Sequence, residues 1–443
     1  VKTFRITQVE MTRKQGVILL LAGTAVVLFL LATPMMLKAV PPRYLSRLPK
    51  PIQDIGVPKQ EVAILPTVAI TADLSILFTP VATPTADLPP TNTAVPALEE
   101  MTPTTEPTPE ATEILPPTFT PVPPTETPLP IPPQARLESI THKFQEWNNC
   151  GPATLAMTLS YFDIQRSQND TADFLKPSPE DRNVSPHEMV AYVKEETDLD
   201  AIFRVNGNQQ TVRRLLAAGF PVILEIGIEP PGEFQWMGWY GHYMLAVAYD
   251  NVKQQFWVYD SWLGTSEEPL KNANPDGRIL SYNQIAEFWP HFNRNYIVLF
   301  EPERAEEVTA IIGAEMDDTV MWQNALQELR AETASAPNNA FYWFNLGTVY
   351  NALGQYEEAA AAYDQARTIG LPWRMLWYQF GPYQAYYEVG RYEDVVLLAD
   401  TTLKDRPYFE ESFYYRGLAQ AALGETKAAR QDLQKAASFN PNF

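Results

Sequence analysis

The pattern of apolar and polar positions divides the chain into four stretches. Residues 15–37 read QGVILLLAGTAVVLFLLATPMML, 23 residues without a charge, between Arg13-Lys14 and Lys38. About 20 apolar residues suffice to cross a bilayer core of about 30 Å. The run therefore predicts a transmembrane helix, with 1–14 as a basic N-terminal tail. It is longer than the apolar part of a secretory signal, and no small-residue cleavage site precedes Pro41. An uncleaved anchor is the expectation, with Met11 an alternative start to Val1.

The pattern then changes to one with no helical or strand period. Twenty of the forty prolines fall between Pro51 and Pro133, among Thr and Glu, as in Glu106-Pro107-Thr108-Pro109. Proline fixes φ and removes an amide donor, so such a chain stays extended. Its composition predicts a disordered Pro/Thr-rich stalk over 38–134. Stalks of this kind hold a domain away from a cell surface. A single-pass plasma-membrane protein with everything after the anchor outside the cytoplasm is the expected placement.

From 135 to 301 helical and strand patterns alternate. Helical spacing begins at Cys150, with Leu155, Met157, Leu159 and Phe162 among its apolar positions. Ser185-Pro186-His187-Glu188 is a capping box with proline at the first helical position. A third helix is expected over 209–218, stopped by Gly219. Strands are expected over 222–228, 242–249, 255–259 and 296–300, with a short helix over 281–289. Asn251-Val252-Lys253-Gln254 is the turn of a hairpin. Helices first and an antiparallel sheet afterwards make an α+β domain.

The last stretch, 316–443, has helical spacing throughout and repeats itself. Trp343, Leu346, Gly347 and Tyr350, then Ala359, Tyr363 and Pro372, follow the tetratricopeptide pattern. Prolines 337, 372, 407 and 441 recur at intervals of 35, 35 and 34 residues. The middle repeat is degenerate in its first helix. Such pairs bury their faces only against neighbours, so an all-α solenoid is expected. Two roles suit it: a groove that recruits a protein partner or substrate, or a scaffold packed on the preceding domain.

Net charge is −20, with no Lys/Arg cluster of the kind a phosphate-binding surface needs. Nucleic acid is not an expected partner. One cysteine, Cys150, cannot form an intramolecular disulfide. One Cys and four scattered His show no metal-ligand spacing, and neither metal nor cofactor is expected. Cys150 stands at the mouth of a helix, where amides and the helix dipole favour a thiolate. Of His142, His187, His242 and His291, His242 opens an apolar strand that can hold its ring rigidly. The hairpin brings Asp260 near His242, where a carboxylate can hold the second ring nitrogen. Asp250 competes for that role but sits at the turn end of its strand. Gln145, five residues before the thiol, can offer its amide to an oxyanion together with the Cys150 N–H.

Gln145-Glu146-Trp147-Asn148-Asn149-Cys150-Gly151-Pro152-Ala153, Gly241-His242-Tyr243 and Val258-Tyr259-Asp260-Ser261-Trp262 together resemble the C39-like family of cysteine peptidases, within the papain-like group. The resemblance covers about 165 of 443 residues. It implies a papain-like fold, Cys150 as nucleophile, His242 as base, Asp260 as orienting residue and Gln145 as oxyanion donor. One departure is the glutamine, which in papain lies six residues ahead of the cysteine. Family members in peptide exporters cut after a double glycine; this chain has no phosphate-binding G-x-x-x-x-G-K-[S/T] loop, so that substrate does not carry over. The expected function is a membrane-anchored cysteine peptidase acting on a peptide or protein. The alternatives are a catalytically silent papain-like scaffold and an amidase or transglutaminase-like acyltransferase.

Overall fold

The computed structural model describes residues 23–24, 32–33, 35–37, 52, 64–68, 74–78, 131–176, 178, 184–229, 238–265 and 276–440. Most of the expected span at 15–37 lies outside them. Among the described residues, no helix is long and apolar enough to cross a membrane.

In chain order the first part comprises β1 (Gln134–Arg136), α1 (Cys150–Ser160), α2 (Gln168–Leu175), α3 (Pro186–Glu196), β2 (Asp200–Arg204), α4 (Gln209–Ala217), β3 (Val222–Ile228), β4 (Tyr240–Asp250), β5 (Gln255–Asp260), β6 (Arg278–Ser281), α5 (Tyr282–Phe288) and β7 (Tyr296–Phe300). The helical part comprises α6 (Ala305–Ile312), α7 (Asp318–Ser335), α8 (Ala340–Ala352), α9 (Tyr356–Ile369), α10 (Gly381–Glu388), α11 (Tyr392–Asp405), α12 (Glu410–Ala422) and α13 (Thr426–Phe439).

The strands form one antiparallel sheet in the order β2-β7-β3-β4-β5-β6, with β1 pairing the end of β4. β3 and β4 sit at its centre, and β3 is buried along its whole length. This explains its continuous apolar run, in which Glu225 is the one charged residue. α1 is buried from Gly151 to Ser160 against this sheet. Leu155, Leu159, Tyr243, Leu245 and Ile297 share one core there. The expected capping box at Ser185 and Glu188 forms and starts α3. β1, α2, β2 and β6 carry too few periodic residues to stand out in the sequence.

α8 and α9 make a regular helix pair. Gly347 is required in α8, because a Cβ there would lie 2.7 Å from the Tyr363 ring of α9. The next pair is not regular. A 3₁₀ turn, Trp373–Trp377, precedes the short α10, with Pro382 in its first turn. That broken segment packs on the antiparallel sheet and not only on its neighbours in the stack. Arg374 donates to the Trp239 carbonyl at 3.2 Å, and its guanidinium lies 4.2 Å from the Tyr240 ring centre. Asn345 donates to the Pro290 carbonyl at 2.5 Å, and His291 stacks on Phe341 with ring centres 3.7 Å apart. Arg204 pairs with Asp318 at 2.7 Å, and Arg294 pairs with Glu332. Val205, Trp239 and Phe292 belong to the same core as Phe344 and Trp377, so the helices and the sheet bury one continuous apolar surface.

A correction concerns the stalk. Residues 64–68 and 74–78 fall inside 38–134 but are ordered against the repeats. Leu65 and Leu77 are 1% and 0% exposed. The Leu65 amide donates to the Leu371 carbonyl at 2.9 Å, and Arg367 donates to the Pro66 carbonyl at 2.9 Å. Tyr350 donates to the Leu77 carbonyl, and Phe78 meets the edge of Trp343. The physical reason is local composition. Leu65 and Leu77 are buried and Leu74 packs beside them, which repays ordering that the average over a proline-rich stretch conceals.

Candidate active site

Cys150 is the first residue of α1 and is half-buried. Asn149 precedes it at φ −114° without a side-chain cap, and Asn148 is left-handed at φ 57°, a conformation asparagine tolerates. The buried Lys176 fixes this turn, donating to the Asn148 carbonyl at 2.8 Å and to Asn149 Oδ1 at 2.9 Å. Gln168 ties the segment ahead of it, donating to the Phe144 carbonyl at 2.9 Å. The thiol thus stands on a helix start held from both sides.

His242 lies on β4 and Asp260 ends β5. The register pairs Met244 with Asp260, after a shift between Ala246 and Ala248, so Asp260 is diagonal to His242. His242 Nε2 lies 2.9 Å from Asp260 Oδ1, both side chains being buried. The same oxygen accepts the amides of Trp262 at 2.8 Å and Leu263 at 2.9 Å. These donors make Asp260 an anionic acceptor, so Nε2 carries the proton it donates. The Cys150 thiol also hydrogen-bonds His242. With Nε2 occupied, that contact falls to Nδ1.

The charges follow from this geometry. Burial opposes the Cys150 thiolate, but the His242 ring and the amides of Tyr243 and Gly151 outweigh it and hold the thiol below its ordinary value. Burial also opposes the His242 cation, yet Asp260 and the thiolate push its pKa up to about 10. Asp260 is opposed by burial and held below the usual carboxylate range by the imidazole charge. Each charge stabilises the other, so the thiol and the imidazole titrate as one unit.

Gln145 is tied to Ser261, the residue after Asp260. Its backbone N–H donates to the Ser261 carbonyl at 2.7 Å, and the Ser261 hydroxyl donates to Gln145 Oε1 at 2.9 Å. Asp250 is not in the site. It caps the hairpin turn, accepting from the Val252 and Lys253 amides. His142 bonds the Asp260 carbonyl at 2.9 Å and supports that strand end. His187 is exposed on α3, and His291 accepts from Trp239 at 3.1 Å.

Two residues beside the thiol escaped the sequence reading. Glu225 and Tyr378 line the same cavity as Asn148, Cys150, Gly151 and Gly241. Glu225 is buried and receives Asn295 at 2.5 Å. Burial first, and then the Cys150 charge, push its pKa up to about 8. Its neutral form also suits Tyr243, whose one hydroxyl proton goes to the Val184 carbonyl at 2.7 Å. A lone Glu in an apolar strand was the available signal for it. Tyr378 gave none, because it reaches the site from 118 residues beyond Asp260 in sequence. Among the described residues, no group of His, Cys, Asp and Glu could hold a metal ion.

Residues 129–293 match the peptidase C39-like family, and residues 342–368 match the tetratricopeptide repeat. The chain therefore carries a C39-like domain followed by a tetratricopeptide repeat. A solved structure described as a C39-like peptidase from Bacillus anthracis aligns at 14% identity, with a TM-score of 0.29, over 38% of this chain and 96% of that one. No curated protein matches the chain.

Proposed function

We propose that the C39-like domain is a papain-like cysteine peptidase with Cys150, His242, Asp260 and Gln145 as its catalytic residues. The observation that carries this reading is the relay from thiol to imidazole to carboxylate, with Asp260 2.9 Å from His242 Nε2. The Cys150 thiolate adds to the carbonyl carbon of a peptide bond, and the carbonyl oxygen takes the negative charge. The Cys150 N–H and the Gln145 amide donate to that oxyanion. His242 gives its Nδ1 proton to the leaving amine as the C–N bond breaks, which leaves a thioester on Cys150. His242, now neutral, takes a proton from water, whose oxygen adds to the thioester carbonyl. The acid departs and the thiolate–imidazolium pair is restored.

The test is hydrolysis of a peptide library by the purified chain, with Cys150→Ala as control. New N-termini from the native chain and none from the variant support the reading. A native chain that reacts with thiol probes but cleaves nothing contradicts it. The repeats are proposed to bring a protein partner or substrate to this site. The apolar run at 15–37 is proposed to anchor the chain in a plasma membrane with the site outside the cytoplasm. Protease accessibility of the repeats on intact cells checks that placement.

A further inference from the structure

The repeat module contributes a wall to the cavity beside the thiol. Tyr378 follows the 3₁₀ turn Trp373–Trp377, where the middle repeat lacks a full first helix. Its ring stands edge-on to Trp239 and Phe292, with ring centres 5.9 and 5.8 Å away. It approaches β4 next to His242. A Cβ at Gly241 would lie 3.2 Å from Tyr378 Cδ1 and 2.5 Å from Phe292 Cζ. Gly241 therefore permits the ring to close on the strand that carries the imidazole.

The other walls leave little room. A Cβ at Gly151 would lie 3.1 Å from Val184, which also lines the cavity. Tyr243 and Glu225 complete the lining. Enclosed space amounts to about 10 Å³, room for roughly one water molecule. Tyr243 and Val184 are buried and fixed to each other by a hydrogen bond at 2.7 Å. Tyr378 is the half-buried wall, and the one that comes from outside the C39-like domain.

We infer that this recess is a substrate subsite shared by the two modules, that it takes a small uncharged side chain no larger than that of alanine or serine, and that Tyr378 sets its size limit. The inference rests on the peptidase reading for its substrate but not for its geometry. Arg374 and Trp377 hold the wall in place. Arg374 bonds Trp239, and the Trp377 ring stands edge-on to Tyr240, centres 6.1 Å apart. The degenerate repeat is thereby a part of the active site, and a C39-like domain without it lacks a side of its cleft.

Alkylation of the full chain tests this directly. The Cys150 thiolate displaces iodide from an iodoacetamide, forming an S–C bond as the C–I bond breaks, and intact mass follows the rate. Iodoacetamide itself is the small probe and N-benzyl iodoacetamide the bulky one. Tyr378→Ala is expected to raise the bulky rate at least about tenfold relative to the small one. Tyr378→Phe keeps the ring and the native ratio. If Tyr378→Ala fails to fold, Tyr378→Leu is expected to give a smaller shift in the same direction. An unchanged ratio in the folded Ala or Leu variant overturns the inference. Peptide cleavage separates the two readings. Cleavage with an unchanged size preference in Tyr378→Ala removes the subsite and keeps the peptidase. A shifted alkylation ratio with no cleavage by any variant keeps the subsite and removes the peptidase.

Discussion

The helix pair α8–α9 and the segment that follows it begin from the same repeat spacing and end differently. In the first, helices of 13 and 14 residues bury Trp343, Leu346, Tyr350, Ala359 and Tyr363 against each other and their neighbours. In the second, the first helix is broken into the turn Trp373–Trp377 and the short α10. The residues released from regular stacking are the ones that reach the antiparallel sheet: Arg374 to Trp239, Trp377 to Tyr240, and Tyr378 into the cavity beside Cys150. A repeat that keeps its pattern records stacking with its neighbours. One that departs from it records contact with something else.

The largest contrast lies between chemistry and support. Cys150→Ala and His242→Ala are each expected to lower peptide hydrolysis by about 10⁴-fold or more, as for removal of a triad member elsewhere. Steady-state cleavage assays measure this, and the far-UV spectrum stays native. The two repeat segments are separated next. Leu346→Ala in the regular pair is expected to cost about 2–5 kcal/mol of stability and to leave the alkylation ratio of the folded protein unchanged. Arg374→Ala in the irregular segment is expected to cost less, about 1–3 kcal/mol, and to shift that ratio toward the bulky probe. Thermal melts and alkylation rates decide it, and equal behaviour of the two variants would break the comparison.

Gln145→Ala is expected to reduce kcat by about 10²–10³-fold while leaving alkylation at pH 7 unchanged, since the role proposed for the glutamine is on the oxyanion and not on the thiol. Glu225→Gln carries the smallest effect. Glu225 is neutral below about pH 8, and above that pH it adds a second negative charge beside the thiolate. The native pH profile of alkylation is therefore expected to bend by a few-fold near pH 8, and the glutamine variant to lose that bend.

Much of the site was legible because it is encoded locally. The Asn148-Asn149-Cys150-Gly151-Pro152 turn opens the helix where expected. The hairpin turn at 251–254 fixes which strand ends meet, which brings Asp260 to His242 and leaves Asp250 at the turn. The bulge between Ala246 and Ala248 moves Asp260 from a position opposite Leu245 to one opposite Met244, diagonal to His242 and on its face of the sheet, a detail that strand periodicity does not carry. What stayed hidden depends on packing between distant segments. β1 and β6 are short strands of three and four residues, given their place by the sheet and not by their own pattern. Leu65 finds a partner in Leu371 and Leu77 one in Tyr350, both far along the chain. Tyr378 is ordinary in its repeat and gains a role only when the broken helix docks on β4.

The central claim is that His242 activates Cys150, and the most direct measurement is the iodoacetamide rate at Cys150 from pH 5 to pH 10 in the native chain and in His242→Ala. The thiolate forms as pH rises through the lowered thiol pKa, and the imidazolium that stabilises it persists up to about pH 10. The native rate is therefore expected to reach its plateau at a lower pH than the variant, whose rate rises toward the ordinary thiol value of 9.0. Superimposable profiles for the two proteins would contradict the account.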